Sequence, residues 1–204
     1  MAGKPSIAKT EDRPSGDYYP TPHYVTQALL DREKFSKRVW EPACGSGEMS
    51  KVMESSGYEV VATDLFDRGY GEAGHDFTFA TTLPEGVGAI VTNPPFKLAE
   101  PFVERALMLR PDKFAMFLRL SFVEGQGRYR RIFRSHAPAR IWAFPGRVTL
   151  YPNGERADRD ASGFMAFAWF VWDVTAAERC VTELRWISFN PGWKGIMDSE
   201  GKSA

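Results

Sequence analysis

Apolar residues fall into short runs divided by turn residues, and the runs alternate in period. Val25, Leu29 and Leu30 share one helical face behind Thr21-Pro22, which predicts a helix with Thr21 as N-cap and Pro22 at its first position. Residues 38–43 (RVWEPA) have strand character and run into Gly45-Ser46-Gly47; residues 48–55 follow as a helix closed by Gly57. Residues 58–63 (YEVVAT) form a β-branched strand ending at Asp64, and residues 75–79 are expected to be a short third strand. Residues 88–92 (GAIVT) are a buried strand stopped by Asn93-Pro94-Pro95. Residues 99–109 are helical, 113–120 a strand, 129–135 a helix and 140–144 a strand. Residues 164–174 and 181–187 have no helix-length segment between them, which predicts an antiparallel hairpin at one edge. Strands alternating with helices predict an α/β fold with an open, mostly parallel sheet and helices on both faces.

At about 150 residues per domain, 204 residues make one domain. We expect it to span residues 17–190, between a mobile tail at 1–16 and a loose Gly-rich tail at 191–204. The 43% hydrophobic and 25% charged residues exclude a disordered chain. Lys+Arg 26 balances Asp+Glu 26, so the molecule is no polycation and any nucleic-acid contact must come from local clustering. Cys44 and Cys180 stand far apart and support neither a disulfide framework nor a metal cluster. The longest uncharged apolar run, residues 164–172, is too short for a bilayer, and the N-terminus lacks the apolar core of a secretory signal. A soluble, cytoplasmic protein is the expectation, monomeric or weakly dimeric.

Candidate chemistry gathers at the strand ends. Glu41-Pro-Ala43-Cys-Gly45-Ser-Gly47 joins the first strand to the first helix after it, and two glycines there let backbone pass close under a ligand. Asp64, with Leu65 beside it, ends the second strand, where a carboxylate can accept both ribose hydroxyls of a nucleoside. The turn is neither G-x-G-x-x-G, because Ser50 stands three after Gly47, nor a P-loop, because it has no Lys. An acid at Glu41 repels pyrophosphate and attracts an ammonium group. A cofactor with an amino-acid end is therefore favoured over one with phosphates.

Asn93-Pro94-Pro95-Phe96 follows the buried GAIVT strand. The prolines make the turn rigid. The Asn93 amide oxygen and the Pro94 carbonyl then form an acceptor pair for an –NH2 donor, and Phe96 offers a flat face for stacking. Taken together, these residues resemble the S-adenosylmethionine-dependent N6-adenine DNA methyltransferases. Glu41-x-Ala43-x-Gly45-x-Gly47 is similar to their cofactor motif and Asn93-Pro94-Pro95-Phe96 to their catalytic [DNS]-P-P-[YFW] motif. Tyr19-Pro20-Thr21-Pro22 resembles the segment touching the methionine end of the cofactor, and Asp76-Phe77 the acid–aromatic pair beside its adenine. Cofactor motifs precede the catalytic motif with no large insert, which is the γ-like order, and the resemblance covers residues 18–188. Its compact form resembles phage and prophage enzymes.

The resemblance implies a Rossmann-like fold with a seven-stranded sheet, S-adenosylmethionine as cofactor, no metal, and an adenine flipped from duplex DNA as acceptor. Asn93 and Pro94 would hold the amine hydrogens while Phe96 stacks on the base. Such enzymes usually carry a separate recognition domain. Only 17 residues follow Ile187, so sequence reading is expected from loops. Residues 125–154 contain no Asp or Glu but hold Arg128, Arg130, Arg131, Arg134, Arg140 and Arg147, an expected phosphate-binding stretch. Residues 145–162 form a long loop whose Asn153, Glu155, Arg156 and Arg159 are candidates to reach base edges. The alternatives are the same chemistry on RNA adenine or protein glutamine, and a non-catalytic nucleic-acid-binding module. Cytosine N4 is disfavoured, because that chemistry usually goes with Ser-Pro-Pro.

Overall fold

A computed structural model of the chain describes residues 18–151, 165–174 and 181–187. The expected tails and the tip of the 145–162 loop, including Asn153, Glu155, Arg156 and Arg159, lie outside the described residues. Seven strands form one sheet: β1 (Arg38–Glu41), β2 (Glu59–Ala62), β3 (Ala89–Thr92), β4 (Lys113–Arg119), β5 (Arg140–Ala143), β6 (Phe167–Asp173) and β7 (Glu183–Trp186), in the order β2-β1-β3-β4-β6-β5-β7. Pairs β1–β2, β1–β3, β3–β4 and β5–β7 are parallel, and β6 runs antiparallel to both β4 and β5. The sheet is thus mostly parallel, as expected.

Helices α1 (His23–Leu30) and α2 (Glu48–Ser55) cover one face, packing Val25, Leu29, Met49 and Met53 against Val39, Val91 and Phe117. Helix α3 (Ala99–Leu109) covers the other, packing Phe102 and Val103 against Trp40, Ile90 and Phe114. Neighbouring residues of one strand, such as Val39 and Trp40, therefore enter different cores. That is why the central strands read as continuous apolar runs.

Three local expectations are overturned, and the bounds of a fourth shift. Residues 75–79 are not a strand: Asp76 Oδ1 accepts from the Thr78 backbone N (2.9 Å) and Thr78 Oγ1 (2.6 Å), and the chain closes into a 3-10 turn, Phe77–Phe79. Thr21 does not cap α1, which has no side-chain cap, because its hydroxyl accepts from Asn93 Nδ2 (3.0 Å). Finally, β6 and β7 are no hairpin. Phe167–Trp172 is apolar at every position and buried on both sides, so β6 can only lie inside the sheet, whereas exposed β7 pairs parallel with β5. The expected helix at 129–135 begins earlier, at Gln126, and passes into a π-helical turn, Tyr129–Phe133.

Candidate active site

The carboxyl ends of β1, β2 and β3 deliver three turns to one edge of the sheet, at the point where connections leave in opposite directions. After β1, Gly45 and Gly47 adopt left-handed backbone, φ 55° and 82°. A Cβ at Gly45 would lie 2.4 Å from Tyr18 Cε2, and one at Gly47 2.4 Å from Tyr70 Cγ. The close approach that the sequence suggested for a ligand is thus made here by two tyrosine rings. Tyr18 is fastened across the turn: its hydroxyl donates to Ser46 Oγ (2.7 Å) and accepts from the Ser46 backbone N (3.2 Å).

Asp64 links two of the turns. One carboxylate oxygen accepts from the Gly45 N (2.9 Å) and the other from the Phe66 N (2.9 Å), with the residue 8% exposed. Each oxygen keeps a lone pair for a further donor. Glu41, at the end of β1, is 1% exposed and accepts from Ser50 Oγ. Burial pushes its carboxyl up to about 8, against the pull of that hydrogen bond. The Cys44 thiol, also buried, is pushed up to about 12 and stays protonated.

The Asn93 side chain is held in one orientation. Its Nδ2 donates to the Tyr19 carbonyl (3.1 Å) and to Thr21 Oγ1 (3.0 Å). A carbonyl can only accept, so the nitrogen must face it and the oxygen must face the other way. That oxygen, Oδ1, is buried and has no hydrogen-bond partner among the described residues. The Phe96 ring is covered by Tyr19, stacked at 5.0 Å, and by Arg119, whose Cζ lies 4.6 Å from its centroid.

These turns enclose a cavity of about 500 Å³. Of the residues picked from sequence, Tyr19, Thr21, Glu41, Ala43, Asp64, Leu65, Asp76, Phe77 and Asn93 to Phe96 line it. Gly45, Gly47 and Pro22 do not reach its wall: the glycines shape the turn and Pro22 precedes α1. Phe77 is a core residue as well, 2% exposed and packed on Trp40 and Phe102. Tyr18, Ser46, Arg68 and His75 also line the cavity, and sequence reading missed them. Tyr18 is half of a Tyr-Tyr doublet whose second member, Tyr19, opens the motif-like segment, the one signal that pointed to it.

Solved structures share this fold at low identity. A type I restriction-modification methyltransferase subunit from Streptococcus thermophilus aligns at 13% identity and a TM-score of 0.55, over 81% of this chain and 46% of its own. A Pyrococcus horikoshii protein described as an RNA methyltransferase aligns at 15% and 0.54, over 79% and 91%. A Listeria monocytogenes protein described as a class I S-adenosylmethionine-dependent methyltransferase aligns at 13% and 0.51, over 80% and 62%. This chain has the methyltransferase fold. It spans about half the length of the restriction-modification subunit. No family model matches the sequence, and no curated protein matches it.

In this methyltransferase fold the arginine-rich stretch is divided. Arg140 is a structural cation: it donates to Glu33 and to Asp173 Oδ2 (2.8 Å), while Trp142 Nε1 and Lys113 Nζ also donate to Glu33, at 2.9 and 3.1 Å. Burial pushes the Glu33 carboxyl up, but these donors outweigh it and hold it below the usual range. Arg131 pairs with Glu100 and Glu104, and Arg128 donates to the Phe122 carbonyl (2.9 Å). Arg130, Arg134 and Arg147 are exposed. Among the described residues no group of three His, Cys, Asp or Glu is placed to hold a metal, and no helix is long and apolar enough to cross a membrane.

Proposed function

We propose that this chain transfers a methyl group from S-adenosylmethionine to the N6 amine of adenine in DNA, with the target nucleotide flipped out of its duplex. The observation that carries the reading is the buried, unpaired Oδ1 of Asn93. A buried acceptor without a donor is costly, and an exocyclic amine supplies the missing hydrogen. The Pro94 carbonyl accepts the second hydrogen. Held between two acceptors, the amine nitrogen loses conjugation with its ring and turns its lone pair outward. The contribution is one of position rather than of base catalysis: the amine becomes cationic and acidic as it takes the methyl group, and gives its extra proton to water.

The cavity fits the cofactor. Four acids, Glu41, Glu48, Asp64 and Asp76, line it against Arg68 and Lys97, together with apolar Met49, Leu65 and Phe66. That set suits a cationic nucleoside with an amino-acid end better than a phosphate. When bound, S-adenosylmethionine supplies an electrophilic methyl group on sulfur. Glu41 would hold its ammonium group, and the spare lone pairs of Asp64 would accept the ribose hydroxyls. Asp76 keeps one carboxylate oxygen for the adenine amine, the other being spent on Thr78. The cationic rim beside the turn, Lys97, Arg119 and Arg128, favours an anionic polymer as acceptor.

The test is incubation with methyl-labelled S-adenosylmethionine and DNA, RNA or protein, followed by nucleoside and amino-acid analysis. Label in N6-methyldeoxyadenosine is expected. Label in RNA or in glutamine overturns the choice of acceptor. Asn93→Ala should cut transfer by about 100-fold or more. Its cofactor affinity should fall by no more than about tenfold, through the freed Tyr19–Thr21 segment.

A further inference from the structure

A second cavity of about 300 Å³ shares Phe96 and Lys97 with the first. Arg119, the last residue of β4, stands at their junction, with its guanidinium over the Phe96 ring. Among the described residues its buried Nε has no hydrogen-bond partner and no carboxylate pairs with it. Arg131 and Arg140, by contrast, are both neutralised by acids. Arg128 walls the same cavity, pinned by Nη1 to the Phe122 carbonyl (2.9 Å). The one acid there, Glu100, lies 4.0 Å from Arg128 Nε and is already paired with Arg131. The cavity therefore holds an excess of positive charge and a donor with nothing to donate to among the described residues, and Phe96 of the Asn93-Pro94-Pro95-Phe96 turn forms part of its wall.

A base presented to Asn93 carries its own sugar and phosphates past Phe96. A phosphodiester is anionic, and its paired oxygens match the fork of a guanidinium. We propose that this cavity is a phosphate subsite, in which Arg119, beside Arg128, binds the phosphodiester flanking the nucleotide whose base is presented to Asn93. The inference rests on the nucleic-acid reading above. In turning from the ring to the phosphate, Arg119 also uncovers Phe96 for the base.

The test uses two single-stranded oligonucleotides with one adenine each. In one, the linkages on either side of that adenine are natural; in the other they are neutral methylphosphonates. Binding is followed by fluorescence anisotropy across a salt titration for the full chain, Arg119→Gln and Arg119→Lys. The wild type should bind the neutral strand about tenfold more weakly, the scale of one charge-assisted contact. Arg119→Gln should lose about as much on the natural strand, lose little more on the neutral one, and lower the slope of log affinity against log salt by about 0.7. Arg119→Lys should keep the slope, and cofactor affinity should not change in either variant. If Arg119→Gln stays as sensitive to the neutral linkages as the wild type, or keeps its slope, the subsite is wrong while the nucleic-acid reading stands. A wild type that binds S-adenosylmethionine but neither strand overturns both.

Discussion

Replacing Glu41 with Gln separates two roles of one buried carboxyl. In the folded chain it ionises near 8, and in the unfolded chain near its ordinary 4.5. Each unit is worth about 1.36 kcal/mol, so carrying the anion at high pH costs the fold on the order of 4–5 kcal/mol. Below the unfolded value both states hold the proton and stability is at its fullest. As pH rises from there to about 8, only the folded state keeps the proton, and stability is lost steadily. Gln has the shape of the neutral acid and can still accept from Ser50, but it does not titrate. Urea unfolding at a series of pH values should therefore show the wild type losing stability relative to Glu41→Gln by up to about 1.4 kcal/mol per pH unit across that window. An arriving ammonium group reverses the balance by stabilising the anion. At pH 7, calorimetry in buffers of different ionisation heat should find that S-adenosylmethionine displaces most of a proton from the wild type and far less from Glu41→Gln, whose affinity should also be lower. Parallel stability–pH curves for the two proteins would refute the reasoning.

Asp64→Ala should weaken cofactor binding and also loosen the glycine turn, since it removes charge-assisted bonds to the Gly45 and Phe66 amides worth about 1.5–3 kcal/mol each; calorimetry and thermal melting should both register it. Gly45→Ala places a Cβ 2.4 Å from the Tyr18 ring and should destabilise by about 1–3 kcal/mol, partly relieved by adding Tyr18→Ala, as denaturant titration can measure. Arg140→Ala leaves Glu33 without its main partner and should cost about 3–5 kcal/mol in unfolding experiments while leaving the salt dependence of DNA binding untouched. The paired change Arg130→Ala and Arg134→Ala should do the reverse, flattening the salt slope on duplex DNA by about 1.8 with little change in stability.

Several features of this protein are local, and the sequence determined them alone. Apolar runs such as AIVT and the helical spacing of Val25 and Leu29 specify elements because burial acts on each segment's own pattern. Gly45, Gly47, Asp64 and Asn93 were legible because each follows a strand, and in an open α/β sheet the strand ends form one edge. Partnership is not local, and the tertiary structure decided it. Thr21 has the makings of a helix cap, yet a side chain 72 positions away claims its hydroxyl. Arg140 stands among arginines of similar appearance, and Glu33, 107 positions away, makes it a structural cation. Strand β6 carried a warning in its unbroken apolar run, but its place between β4 and β5 emerged only from which faces needed cover. Arg119 lay outside the stretch searched for phosphate contacts; only the sheet sets it beside Phe96. Sequence neighbours share a backbone path, whereas charges and hydrogen bonds are satisfied by whatever the fold brings within a few ångströms.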